Sequence, residues 1–265
     1  MSFDEMKEDA KELNLDERRR KILDILAVKG KVKVSELSKL FNISEVSIRN
    51  DLAELEQAGS LERVHGGAVS TVRAYYNMSF NDRITANSGE KRRISVEAAK
   101  LVKDDDSIIL NSGTTTLLVA RELKNHKGLK VITNAIPVAS ETGCFNNAQV
   151  ILLGGNYNPQ YYFIYGDDAI NQLRKYKAGK LILSIDGVDP EEGITTYLHQ
   201  EAELVKQMIE RVNTTIVVAD YTKIGRVSFA SVAPLERVDI LITDSKADVE
   251  TLNIIRNMGI EVKVV

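Results

Sequence analysis

Residues 34–69 read VSELSKLFNISEVSIRNDLAELEQAGSLERVHGGAV, and the period of their apolar positions decides the first part of the fold. Leu37, Leu40 and Phe41 recur at the i, i+3, i+4 spacing of a helix that buries one face. Asn42, Ile43 and Ser44 break that pattern, and the Ser44 hydroxyl is suited to accept from the free N–H groups of a following helix. The second helix carries an apolar stripe of Ile48, Leu52 and Leu55. It is expected to reach Ala58 and stop at Gly59, which takes the left-handed C′ conformation without a Cβ penalty. With the stripe turned toward a core, Val46, Ser47, Arg49 and Asn50 lie on the opposite face near the helix start.

A helix that offers a hydroxyl, a guanidinium and an amide from its first turns suits a DNA major groove. Arg bonds guanine bidentately, Asn does the same to adenine, and a valine meets the thymine methyl. After it, residues 61–64 and 68–69 flank His65-Gly66-Gly67, whose glycines supply the positive φ of a tight turn. Arg63 and His65 near that tip read as the wing of a winged helix-turn-helix, placed for phosphate or minor groove. The alternative is a small helical domain serving protein contacts, which explains neither the polar outer face nor the wing.

The stretch resembles the DNA-binding domain of the DeoR family of bacterial transcription regulators. The residues that carry the resemblance are Ser44, Ser47-Ile48-Arg49-Asn50-Asp51-Leu52 and Arg63-Val64-His65-Gly66-Gly67-Ala68. That family usually has Thr where Ser47 stands; the hydroxyl is kept and a methyl is lost.

The chain has 265 residues, 43% hydrophobic and 28% charged, an ordinary balance for a globular protein of one large domain or a small and a large one. No apolar run approaches the roughly 18 residues of a membrane span. The first residues, MSFDEMKEDAKEL, are acidic and lack the apolar core of a secretory signal. A single cysteine, Cys144, excludes an internal disulfide and suits a reducing cytoplasm; it reads as a buried, inert thiol. The net charge of −3 gives a nucleic-acid partner no support. The positive charge is local: Arg18-Arg19-Arg20-Lys21, Lys29, Lys31, Lys33, Lys39, Arg49 and Arg63. DNA binding needs positive potential only on the face that meets phosphate, although a run such as residues 18–21 reads equally as a solvated helix face. His65, His126 and His199 lack paired ligand spacing, so no metal and no cofactor is expected.

Residues 1–13 form an extension without a clear apolar face. Asn14 with Glu17 three residues on reads as a capping box opening a helix over 15–28, with Ile22, Leu23, Ile25 and Leu26 inward and Gly30 as its stop. The DNA-binding domain thus spans 14–70. Between 71 and 88 the apolar pattern lapses and a linker is expected, though Tyr75, Tyr76 and Phe80 suggest that it packs on something. A helix then starts at Glu90-Lys91-Arg92-Arg93, with Ile94, Ala98 and Leu101 inward. From 89 to 265 strands and helices alternate. Strands are expected at 107–110, 130–133, 149–153, 180–185, 214–218, 239–243 and 261–265, and helices at 114–123, 136–143, 200–212 and 247–258. Short continuous apolar runs are strands buried on both faces, and the alternation argues a mainly parallel α/β sheet.

Ligands of open α/β sheets sit outside the carboxyl ends of the strands. The first strand runs through Asn111 into Ser112, Gly113, Thr114, Thr115 and Thr116, and then a helix. Free N–H groups, hydroxyls and a glycine that lets the backbone come close make an anion site suited to phosphate. Without the lysine of a Walker loop, a nucleoside triphosphate is disfavoured. Helix capping alone is the plainer reading of those hydroxyls. Other strand ends carry Thr133-Asn134, Gly154-Gly155, Asp186-Gly187-Val188-Asp189 and Asp220 to Lys223. Converging near a phosphate loop, such residues suit a polyol, with Lys223 pairing the phosphate.

The DeoR resemblance continues through these motifs and through Glu201-Ala202, so it covers residues from about 14 to the C-terminus. It implies a sensor domain similar in fold to ribose-phosphate isomerase that binds a phosphorylated sugar and thereby changes operator binding. By that resemblance the phosphate falls to residues 112–116 and Lys223, and the sugar hydroxyls to Asn134, Asp186, Asp189 and Glu201. The family commonly has Asp where Asn111 stands and Gly where Ser184 stands. The first departure changes charge at the site's edge and is expected to alter which sugar fits. A rival reading is a sugar-phosphate isomerase with a DNA-binding appendage, in which Asp186, Asp189, Glu201 and Lys206 supply a base and its supporting charges. A complete reader domain makes regulation the economical account. The expected protein is a cytoplasmic homodimer or higher homo-oligomer that acts on double-stranded operator DNA of a sugar-catabolism operon, by repression rather than activation.

Overall fold

The computed structural model describes residues 15–29, 31–57, 60–70, 79–145 and 147–265. The extension over 1–13, the Asn14 cap, the stops at Gly30 and Gly59, and residues 71–78 of the expected linker, Tyr75 and Tyr76 among them, lie outside them. The chain divides into two compact units, Met1–Ala86 and Asn87–Val265.

The first unit packs α1 (Leu15–Lys29), α2 (Val34–Phe41) and α3 (Glu45–Gln57) with a three-stranded sheet of β1 (Lys31–Lys33), β2 (Leu61–Val64) and β3 (Gly67–Ser70) in the order β1-β3-β2. Ile22, Ile25, Leu26, Leu37, Leu40, Phe41, Ile48, Leu52 and Leu55 form its core, as their periods predict. Asn42 takes the left-handed conformation after α2 (φ 52°), and the Ser44 hydroxyl accepts from the Ser47 N–H at 3.1 Å. β2 and β3 pair antiparallel as a hairpin, with Val64 opposite Gly67 and Gly66 at φ +76°. The third strand, β1, was not legible: it is three residues long with two lysines. It pairs with β3 so closely that a Cβ on Gly67 would come within 3.0 Å of the Val32 carbonyl carbon and closer still to its oxygen.

The stretch read as a linker carries α4 (Phe80–Thr85), opened by Ser79, whose hydroxyl accepts from the Asp82 N–H and donates to the Asp82 carboxylate.

In the second unit α5 (Ser88–Ala99) leads into seven parallel strands. They are β4 (Ser107–Leu110), β5 (Lys130–Thr133), β6 (Gln149–Leu152), β9 (Ala178–Ser184), β12 (Val212–Val218), β14 (Ile240–Thr243) and β15 (Glu261–Val264), in the order β15-β14-β12-β9-β4-β5-β6. All seven coincide with the runs read as strands. Ile108, Ile109 and Leu110 of β4 and Leu181, Ile182 and Leu183 of β9 are wholly buried, whereas the edges β6 and β15 are partly exposed. Helices α6 (Thr114–Glu122), α7 (Ile136–Thr142), α8 (Asp167–Leu173), α9 (His199–Glu210) and α10 (Val249–Asn257) connect the strands.

The sequence reading did not reach two small antiparallel sheets. One is the hairpin β7 (Asn156–Asn158) with β8 (Phe163–Tyr165); the other has the order β10 (Gly187–Asp189), β11 (Gly193–Thr196), β13 (Ala230–Ala233). Val188, Ile194 and Val232 of the second join the core made with Leu204, Val205 and Met208 of α9. Among the described residues no helix is long and apolar enough to cross a membrane. Cys144, expected to be buried, is exposed.

Candidate functional site

In the first unit the buried face of α3 is Ile48, Asp51, Leu52 and Leu55. Val46 is 62% exposed, Arg49 and Asn50 are exposed, and Ser47 is half-buried. The outer face is therefore the one expected, with one addition: Arg49 Nη2 sits 2.5 Å from Glu45 one turn back. Arg63 and His65 are exposed on the hairpin. Glu56 holds Arg63 twice, accepting from its backbone N–H at 2.9 Å and pairing with Nε at 2.9 Å. Both arginines line one groove together with Val34, Leu52, Val64 and Gly66.

Two residues of the basic run at 18–21 have another employment. Asp51 is buried to 2% exposure, and Arg18 and Arg19 reach its two carboxylate oxygens at 2.7 and 3.2 Å. Those guanidiniums join α1 to α3, so Arg18 and Arg19 are neither a solvated face nor a free phosphate contact.

In the second unit the sheet is wound outward from β4 in one direction through β5 and β6, and from β9 in the other through β12, β14 and β15. The strand order reverses at the β4–β9 seam, where ligands of such sheets bind. Residues 112–116 leave the end of β4 on one side of the seam, and Ser184 to Asp186 leave the end of β9 on the other. Four side chains then join across it. The Ser112 hydroxyl donates to Glu201 Oε1 at 2.6 Å. The Thr196 hydroxyl lies 2.8 Å from Asp186 Oδ2 and 3.0 Å from Glu201 Oε2. Since a hydroxyl has one hydrogen, Thr196 serves one carboxylate at a time. The Tyr197 N–H completes the Asp186 shell at 3.1 Å, and Glu201 sits in the first turn of α9, where a helix favours negative charge. Thr196, at 1% exposure, was missed in the sequence because nothing marks one threonine among TTYLHQ.

Around the loop, Ser112, Thr114, Thr115 and Thr116 are all at most 6% exposed. Ser112 is committed to Glu201, and Thr116 donates to the Gly113 carbonyl at 3.0 Å. Gly113 has φ +153°. The Ser95 hydroxyl of α5 lies 2.7 Å from the Lys91 carbonyl of its own helix and 3.3 Å from the Thr115 carbonyl of α6, and donates to one at a time. Lys91, one turn earlier and 1% exposed, is a buried cation that the charged run EKRR disguised. Asn134, wholly buried, donates to the Ile164 carbonyl at 3.0 Å, and its Oδ1 has no partner among the described residues. That oxygen belongs to the residue that follows Thr133, the partner in register of Leu110 on β4. An unmet buried acceptor next to the loop is a place for a ligand donor.

Not every expected residue joins this group. Asn111 turns both its amide oxygen and its amide nitrogen on Ser184, accepting from its N–H at 2.8 Å and donating to its carbonyl at 2.9 Å. Asp189 lies where β10 turns into β11, its Oδ1 taken by the Glu191 and Glu192 N–H groups. Asp220 caps the turn Tyr221–Lys223, bonding Thr222 through both backbone and side chain, and Lys223 is buried in that turn. Lys206 pairs with Glu203 on the exposed side of α9.

Family models match both units: the DeoR-like helix-turn-helix domain over residues 18–73 and the DeoR C terminal sensor domain over 86–245. The chain belongs to the DeoR family. It is 37% identical to the HTH-type transcriptional regulator GolR of Listeria innocua, across 94% of this chain and 98% of that protein. It is 26% identical to the glycerol-3-phosphate regulon repressor of Escherichia coli K12, across 93% and 98%. This DeoR-family chain is thus a DNA-binding transcription regulator with an α/β sensor domain. A ribose 5-phosphate isomerase from Plasmodium falciparum aligns with half of it (50% of this chain, 51% of that one) at 14% identity and a TM-score of 0.38, too slight a likeness for any argument.

Proposed function

We propose that this regulator represses a sugar-catabolism operon and that a phosphorylated sugar bound at the β4–β9 seam changes its affinity for the operator. The observation that carries the reading is the reversal of strand order at a loop of buried hydroxyls. It faces two carboxylates already aligned by Ser112 and Thr196. The loop N–H groups with Thr114 and Thr115 suit a phosphate. Asp186 and Glu201 suit sugar hydroxyls, which donate to carboxylates, and Asn134 Oδ1 takes one more donor. Lys223 is the cation nearest in kind for the phosphate, and Asp189, engaged in its turn, contributes from the hairpin rather than from the shared network. Ser44, Val46, Ser47, Arg49 and Asn50 read base edges, while Arg63 and His65 hold the backbone. The working species is a homodimer or higher homo-oligomer, since such readers pair with symmetric half-sites.

Two measurements test this. An operator is first recovered by selection from random duplexes; its affinity is then titrated with and without each of a panel of sugar phosphates and the same sugars unphosphorylated. A change with a phosphorylated sugar only is the expected result, and no response to any of them defeats the effector assignment. Arg49→Ala is expected to lose about 1–3 kcal/mol of operator affinity and to relax preference at one base; an unchanged affinity places the reader elsewhere. As a sensor, the protein is expected to leave aldose phosphates unconverted. Turnover near 1 s⁻¹, in the ordinary enzyme range, that vanished in Asp186→Asn would replace sensing with catalysis.

A further inference from the structure

At the end of β9, on the far side of the seam from the loop, the Ser184 hydroxyl is half-buried and makes no hydrogen bond within the described residues. We propose that Ser184 is a ligand-contacting residue of the phosphate loop and that Asn111 is the positioning residue that holds it there. The proposal rests on the reading of residues 112–116 as the anion site.

Two observations place Ser184. The first is the Asn111 clamp. Asn111 is wholly buried, and its amide oxygen and nitrogen go to the N–H and the carbonyl of one residue, Ser184, at 2.8 and 2.9 Å. A primary amide offers one acceptor and donors side by side, so it matches both backbone groups and fixes the direction in which the Ser184 β-carbon leaves the strand. A carboxylate at 111 would meet the N–H but set its second oxygen against the carbonyl. The second is the approach to Gly113. A Cβ built on Gly113 would stand 2.6 Å from the Ser184 β-carbon and 2.7 Å from its hydroxyl oxygen. The Ser184 side chain therefore fills the space that Gly113 leaves open, with its hydroxyl against the loop.

The loop's own hydroxyls show what that adds. Ser112 and Thr116 are committed as donors, to Glu201 and to the Gly113 carbonyl, whereas the Thr114 and Thr115 hydroxyls make no hydrogen bond within the described residues. Those two come from the β4 side. Ser184 is the hydroxyl delivered from β9, and an anion with several terminal oxygens accepts from both sides at once. A ligand held in this way bridges the two halves of the sheet.

The test uses the full chain and calorimetric titration with inorganic phosphate and a panel of sugar phosphates. Ser184→Ala keeps the β-carbon on Gly113 and removes the hydroxyl. It is expected to weaken binding about tenfold, the low end for a hydrogen bond to a charged group, with the melting temperature of the ligand-free protein unchanged. Asn111→Asp is expected to weaken binding as well, through Ser184, and to lower that melting temperature. Ser184→Cys, with the same shape and a poor donor, repeats the first measurement if the alanine variant does not fold. Parent-like binding by the Ser184 variants, with loss in Thr115→Val, overturns the role of Ser184 and leaves the loop reading intact. A parent that binds neither phosphate nor any sugar phosphate overturns both.

Discussion

Gly113 shows how one residue carries two constraints. Its place in SGTTT reads as room for an anion, so that a side chain there is expected to crowd the ligand. In the fold the missing Cβ is first of all room for Ser184. Gly113→Val is therefore expected to disturb the β4–β9 seam before any ligand arrives, and Gly113→Ala to cost about 1–3 kcal/mol as an overpacked contact. Ser184→Gly in the same chain should recover the contact part of that loss, while the backbone strain of an alanine at φ +153° remains. A double-mutant cycle on thermal unfolding measures it, and additive effects would mean that the two residues do not share the space. Thr196 makes a second case. Replacement by Val removes the one hydrogen that stands between Asp186 and Glu201, whereas Ser keeps it. Thr196→Val is expected to lose about 1.5–3 kcal/mol, the worth of a hydrogen bond to a charged group, and Thr196→Ser to stay near the parent in the same melting experiment.

At the scale of elements, what was legible follows period and length. The seven strands of the large sheet are continuous apolar runs because both faces are covered, and α2 and α3 show the helical period because one face is. β1, β7, β8 and β10 are three residues each, too short for alternation to register; β1 exists through a partner distant in the chain, and the others through local hairpins. The site divides in the same way. The loop at 112–116 is local and was legible; the clamp from Asn111 to Ser184 spans 73 positions and the bond from Ser112 to Glu201 spans 89, so only folding brings them together. The ion pairs of Asp51 with Arg18 and Arg19 span 33 and 32 positions, so two residues of the run that looked like a DNA contact are spent joining α1 to α3. Asp51→Ala is expected to cost about 3–5 kcal/mol, as for one partner taken from a buried ion pair. Faster amide exchange in α1 and α3, with the α/β unit unaffected, is the readout. Uniform protection would reduce the pairs to ornament.

At the scale of the molecule, a ligand at the seam alters DNA binding only if it binds the DNA-competent and incompetent states unequally, so the operator titrations report a difference of affinities and not occupancy. Stability also has a pH signature in the larger unit. Lys246 lies 2.6 Å from Glu90, and that hydrogen bond holds the Glu90 carboxyl below its ordinary value near 4.5 and the Lys246 ammonium above its own. With a lowered folded pKa, the Glu90 contribution is present at neutral pH and is lost as pH falls through that folded value. Glu90→Gln is expected to flatten the loss of stability below about pH 4.5. An acid-unfolding curve parallel to the parent's would show that the pair is not what fails.

The seam has a consequence for the order of assembly. Because β4 and β9 are the middle strands, and the chain lays down β5 and β6 on one flank before it crosses back, the loop and its opposing groups remain apart until the central pairing closes. A half-built sheet would present hydroxyls without carboxylates, or carboxylates without hydroxyls, and have nothing to offer an effector. Sugar-phosphate affinity during refolding would then appear in a single step with the closing of β4 on β9, which makes the effector a chemical clock for completion of the fold.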